Sequence, residues 1–395
     1  MARKFLVRIF LILISGIVFC SQPLLAVNLE DSWDFAGGMV DLSQEIDLTE
    51  VKAMLQELDK DVQEALPDFS LSQIFEDLKN GKINLSPENL GNSIFKAILQ
   101  EVVTNAPLIA QMLVLAVLCA VINQLQLAFS GNVGQVARLL VYLVLFGLAL
   151  TSFTMALNVG NQAIENMVSF MQATLPVMYA VLLAMGNLAS TALFKPIVMG
   201  SLVFLASVMK NIVLPLFFFS IILKLLNNIS PQFKLNRFAS LLEFGGKLSI
   251  GLVLTVFIGI MSIQGLTGGI ADGVTLRTAK YSADLIPVVG KFFKDAVELV
   301  VSSGLLLKNA LGLIALLAIT FITLSPVIKI VAMMFTFKIS SALVEPLGEQ
   351  ELAESLQDMS KGLLFIFVAV ASVGIMFFMA IAIIVGAGNL AVMLR

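Results

Sequence analysis

From Pro107 to the C-terminus the chain repeats one pattern: apolar runs of about 18 residues or more, separated by short polar stretches. Each run is long enough to cross ~30 Å of hydrocarbon as a helix, with every backbone hydrogen bond made internally. Leu108–Leu127 and Arg138–Leu157 are the first two spans. Further candidates are Leu175–Phe194, Ile197–Leu226, Leu248–Leu266, Leu305–Leu324, Val327–Val344 and Leu363–Val392, with Lys210 and Pro215 interrupting the second of these. The predicted fold is all-α. It is a polytopic helical membrane domain over residues 107–395 with about six to eight crossings, some broken or re-entrant.

The pattern before Pro107 is different. Arg3, Lys4 and Arg8 precede the apolar run Ile9–Cys20, and Ala26 ends a stretch with the layout of a signal sequence over residues 1–26. The imperfect feature is Leu24, large for a cleavage site, so an uncleaved anchor is the other reading. Both readings export residues 27–106. That acidic region is expected to be helical. Val51, Met54, Leu55, Leu58, Val62 and Leu66 recur on one helical face, Ser70 opens a second short helix, and Ser86-Pro87 starts a third. A small helical region of this size is expected to pack on the membrane domain or a partner.

Positive charge orients the spans. Lys224, Lys234, Arg237 and Lys247 surround the most basic loop, which reads as cytoplasmic; the acidic stretch Glu345–Asp358 reads as external and Arg395 as cytoplasmic. With residues 27–106 outside, the first two spans return the chain outside near Asn158–Gln172. That scheme needs an odd number of crossings between Gln172 and Asn227.

Composition narrows the function classes. Of 395 residues, 58% are hydrophobic and 13% charged, against ~25% charged in soluble domains, so this is not a soluble composition. There is no histidine, and the two cysteines are Cys20 and Cys119. Histidine-based triads are therefore excluded, and a Cys/His zinc site or a structural disulfide is not expected. Gly246-Lys247 lacks the flanking residues of a phosphate loop, since Leu248 and Leu241 stand where Ser/Thr and Gly are required. No cofactor is expected, nor nucleic-acid binding.

Two kinds of site remain. The first is the glycine-rich stretch Gly265–Lys280, continuing to Ile286–Asp295. Gly265, Gly268, Gly269 and Gly273 permit tight turns, Asp272, Arg277, Lys280 and Lys291 bring charges of both signs, and Pro287 with Gly290 breaks the chain between two short helices. This is either a pore-lining or partner-docking element, or an amphipathic loop on the headgroups. The second is polar chemistry within the spans: Lys210, and Lys308-Asn309 at the start of a run. An ionisable group at depth costs roughly 2.5–3.5 kcal/mol on insertion scales and marks function by default. Lys308 reads as a snorkelling side chain; for Lys210 both readings stay open. Glu165 and Asn123 read as helix–helix hydrogen-bonding groups. The carboxylates Glu165, Asp272 and Asp284 have no spacing that argues for catalysis.

Ala271-Asp-Gly-Val-Thr-Leu-Arg-Thr-Ala-Lys280, Ile286-Pro-Val-Val-Gly-Lys291 and Leu305-Leu-Leu-Lys-Asn309 together resemble the signature region of the stage III sporulation protein AE family. So do Gln264-Gly265, Glu345-Pro-Leu-Gly348 and Ala387-Gly-Asn-Leu390. The likeness covers essentially the whole chain. It implies a non-enzymatic membrane subunit in the mother-cell membrane around the forespore. That subunit would belong to a channel-like, secretion-like complex with other membrane subunits, a forespore membrane partner and a separate cytoplasmic ATPase. The alternative is a stand-alone secondary transporter of a small solute with Lys210 at its site, although no internal repeat supports it.

Overall fold

The computed structural model describes residues 87–128, 133–229, 234–284 and 289–393; residues 1–86, which hold the expected signal segment and most of the acidic region, lie outside them. Among the described residues every regular element is helical. In order these are α1 (Pro87–Thr104), α2 (Ala106–Ala128), α3 (Val133–Ala184), α4 (Leu188–Val208), a π-helical segment (Met209–Val213), α5 (Leu214–Ile229), α6 (Asn236–Asp284), α7 (Val289–Val344), a 3₁₀ turn (Glu345–Leu347) and α8 (Gln350–Met393). Among the described residues five helices are long and apolar enough to cross a membrane, and the bent pair α1–α2 brings the number to six.

Of the expected six to eight crossings, five or six stand among the described residues, where neighbouring candidate segments join into longer helices. Leu305–Leu324 and Val327–Val344, expected as separate segments, are one helix, α7, which runs through Pro326. Arg138–Leu157 likewise runs on through Pro176 into the first part of the next candidate, as the single helix α3 of 52 residues. Within a packed bundle, neighbouring groups satisfy the carbonyl that a proline leaves free. Two prolines do deform their helices. Pro107 has no N–H and crowds the preceding turn, and there α1 and α2 meet at 46°. Pro215 follows the π segment, where the Leu214 N–H reaches back five residues to the Met209 carbonyl. The wider turn absorbs the residue that a regular ladder rejects.

Two glycines with positive φ make the tight turns: Gly186 (81°) between α3 and α4, and Gly348 (84°) between the 3₁₀ turn and α8. The core runs along α8, which packs on α3, α5, α6 and α7. Where helices come closest, a glycine faces a bulky side chain: Gly362 meets Ile221 and Phe153, Gly246 meets Phe217, and Gly374 meets Thr323. Phe217 also stacks on Phe365 at 4.8 Å between centroids.

Polar contacts fix which turns share an end of the bundle. Tyr142 hydrogen-bonds Ser355, Asn228 donates to Ser355 Oγ at 3.1 Å, and Cys119 Sγ donates to Glu349 Oε2 at 3.4 Å. At the opposite end Val181, Met185 and Leu307 cluster, and Lys308 lies against Val385. The C-terminal end of α5 at Asn228, with the adjoining start of α6, and the acidic turn at 345–349 therefore lie at the same end. This corrects the charge-based assignment, which put them on opposite sides of the membrane. Merging two expected spans into α7 changes the parity of everything after it. Part of the positive charge is also spent locally, since Lys224 and Lys247 both pair with Glu243.

Candidate functional site

The polar chemistry inside the bundle is built around α3. Its exposed face carries Asn158, Gln162, Glu165, Asn166, Ser169 and Gln172, repeating every three or four residues as one helical stripe. Glu165 forms an ion pair with Lys210, which the π segment presents from the neighbouring helix. Asn211 donates to Ser207 Oγ at 2.9 Å beside it. The pair is not sealed: the Lys210 side chain is 31% exposed and that of Glu165 56%. Lys210 thus neither stands alone nor snorkels; a carboxylate on another helix holds it. Glu165 does bond across helices, as its residue type suggested.

The depth of this pair follows from its neighbours. Phe153 of α3 stacks near Phe218 of α5, and Gly246 of α6 lies against Phe217. Helix α6 runs antiparallel to the α4–π–α5 rod, and the π segment touches it. Counting back from the Gly246–Phe217 contact, Lys210 and Glu165 are level with the region of Val253 on α6. There α6 exposes Leu248, Leu252, Val256 and Ile263. Its two hydroxyls on that surface are satisfied within the helix: Thr255 donates to the Gly251 carbonyl at 2.8 Å and Ser262 to that of Ile258 at 2.7 Å.

Lys308 occupies a second polar position. Its side chain is fully buried, and its Nζ donates to the Val385 carbonyl at 2.7 Å. The snorkelling expectation fails because the C-terminal part of α8 closes over it; Gly312 lets Val385 approach. Next to it, the Oδ1 of Asn309 is buried without a hydrogen-bond partner among the described residues, and so is the Oε1 of Gln264.

In the glycine-rich stretch, Gly265, Gly268, Gly269, Asp272, Gly273, Arg277 and Lys280 continue α6 as unbroken helix rather than turning. Gly265, Gly268, Gly269 and Gly273 then share one helical face, a surface another helix can approach closely. Pro287 lies outside the described residues, and Gly290 and Lys291 open α7. The two elements flanking this break are long helices, not short ones.

Sequence reading missed the stripe on α3. It took residues 158–172 for an outside connection because they are polar. The signal was present in their spacing: 158, 162, 165, 169 and 172 follow a helical repeat, as a loop would not.

Among the described residues no three Cys, Asp or Glu side chains gather as a metal cluster would. An open groove of about 320 Å³ lined by Val117, Ala120, Val121, Gln124 and Leu347 offers one polar side chain, too little to orient a small ligand.

The family described as Stage III sporulation protein AE matches residues 69–388. The Stage III sporulation protein AE of Bacillus subtilis (strain 168) is 35% identical over 332 residues, which cover 84% of this chain and 83% of that protein. No solved structure matches. A multi-pass helical membrane chain matched over this length, with a role in sporulation, belongs to the stage III sporulation protein AE family.

Proposed function

We propose that the chain is a non-enzymatic membrane subunit of a channel-like complex that links mother cell and forespore during endospore formation. The observation that carries this reading is the family match over residues 69–388. The chemistry of the chain supports it: with no histidine and no phosphate loop, this polypeptide is poorly equipped for covalent catalysis or ATP hydrolysis. Energy would come from a separate cytoplasmic ATPase subunit. The chain would sit in the mother-cell membrane around the forespore, with residues 27–106 facing the space between the two membranes. The element Gly265–Lys291 would dock another membrane subunit through its glycine face, with Arg277 and Lys280 supplying charge.

Purification from sporulating cells in mild detergent tests this reading. The expected result is recovery of several membrane proteins and an ATPase together with the chain. Arg277→Glu and Lys280→Glu should release them and lower the yield of heat-resistant spores while the chain still accumulates in the membrane. A chain that purifies alone and drives gradient-coupled uptake in liposomes would be a secondary transporter, and the proposal would be wrong.

A further inference from the structure

The stripe on α3 is at odds with lipid. Over the 15 residues from Asn158 to Gln172, about 22 Å of helix, each outward turn presents an amide, a carboxylate or a hydroxyl. Beyond Lys247, from Leu248 to Ile263, the outward surface of α6 is apolar, and its two hydroxyls are bonded within their own helix. Asparagine and glutamine have more donors and acceptors than a helical backbone can satisfy. The Glu165–Lys210 pair adds two charges, with 56% and 31% of their side chains uncovered. Charged groups within spans pair with one another and face protein or a water-filled cavity. The π segment adds a second, independent feature: it aims Lys210 at this face, and π-bulges are frequent at functional sites.

We infer that the outward face of α3 from Asn158 to Gln172, with Ser207, Lys210 and Asn211 beside it, is the wet wall of an aqueous passage through the membrane. The passage carries water and small polar or charged solutes along alternating amides, with the ion pair at its middle. Lys210 and Glu165 are held together by opposite charge, so the wall has no net charge there and favours neither anions nor cations by that pair alone. The other walls come from further protein, and for these the inference rests on the channel-complex reading. The wetness of the face does not.

Single-cysteine accessibility tests it on the full chain in native membranes. The parent carries Cys20→Ala and Cys119→Ala and is kept only if it still supports spore formation. Asn158→Cys, Gln162→Cys, Asn166→Cys and Gln172→Cys are compared with Leu252→Cys and Val256→Cys on α6. The probes are a charged methanethiosulfonate, which requires water, and a membrane-soluble maleimide, which reports that each thiol is reachable. The expected outcome is that the α3 positions react with the charged probe at least roughly tenfold faster than the α6 positions, since apolar surroundings raise a thiol's pKa and one unit is about tenfold less of the reactive thiolate. Equal, slow reaction on both faces overturns the inference. So does copper-catalysed disulfide formation between α3 faces of two copies without charged-probe labelling, since that face would then be a dry contact. Repeating the labelling in cells without the other sporulation membrane proteins separates the two proposals. A face that stays wet while no partners copurify leaves this inference standing and removes the complex.

Discussion

Two outward faces at one depth of this bundle follow opposite rules. Helix α6 presents Leu248, Leu252, Val256 and Ile263 and hides its hydroxyls in its own backbone. Helix α3 presents Asn158, Gln162, Glu165, Asn166, Ser169 and Gln172. Both are backed by the same core, where Phe217 packs on Phe365 and Gly246, and Phe153 lies against Gly362. The inner surfaces therefore do not explain the contrast. What differs is the medium outside. Hydrocarbon rejects unsatisfied donors and acceptors, whereas water and protein accept them. The bundle is sided: one flank suits acyl chains, the other does not.

The sharpest way to break this comparison is to put one charge on each face. Val256→Lys places an ammonium on the α6 surface, at a cost of roughly 2.5–3.5 kcal/mol near the middle of a span. That is a large fraction of the margin that holds a domain folded. The variant should accumulate poorly in membranes and unfold earlier in detergent. Asn166→Lys puts the same group on α3, where the change in stability should stay under about 1 kcal/mol. Equal damage from both would mean that the faces share one environment, and the contrast would be lost.

A smaller effect is expected at the ion pair. Lys210→Glu sets two carboxylates against each other across the α3–π contact. Because Glu165 is more than half exposed, solvent or a polar neighbour screens part of the repulsion, and the penalty is about 1 kcal/mol rather than that of a sealed pair. The protein should still reach the membrane. Spore yield should fall, because a paired charge within the membrane marks a functional position. The exchange Lys210→Glu with Glu165→Lys should recover most of the loss, because opposite charges again meet. If the double variant is no better than the single one, the two side chains act separately, and the pairing is incidental to function.

How much of this was legible in the sequence depends on how local the determining physics is. Apolar run length is local, and it identified an all-α membrane domain and the neighbourhood of each helix. Helix continuity is not local. Pro176 and Pro326 suggest ends when read alone, but the surrounding bundle carries α3 and α7 through them. Pro215 shows the intermediate case: the helix survives by widening into a π turn, and the consequence is the position of Lys210. Lys308 looked like an interfacial lysine because its own run starts there; only the arrival of α8, 77 residues later, buries it on the Val385 carbonyl. Charge counting failed for a similar reason. Asn228 and Ser355 meet, so a basic and an acidic turn share an end, and Glu243 has already paired with Lys224 and Lys247. The polar run 158–172 carries a helical repeat, yet its polarity reads as a connection between spans. Amide-rich helix at membrane depth is rare enough that polarity outweighed periodicity.

The finest test concerns the hydroxyls of α6, since they decide whether its face is lipid-facing or merely less polar than that of α3. Thr255 is exposed, but its Oγ1 already donates to the Gly251 carbonyl at 2.8 Å, so to an outside medium it behaves nearly as an apolar side chain. Thr255→Val keeps the shape and removes a bond that the carbonyl, already in the helical ladder, does not require. Thermal unfolding in detergent should move by no more than about 0.5 kcal/mol in stability, and spore yield should be unchanged. A clear loss of spores from this substitution would mean that the hydroxyl serves something beyond its own helix. In that event α6 also faces a polar neighbour, and the bundle has two working flanks rather than one.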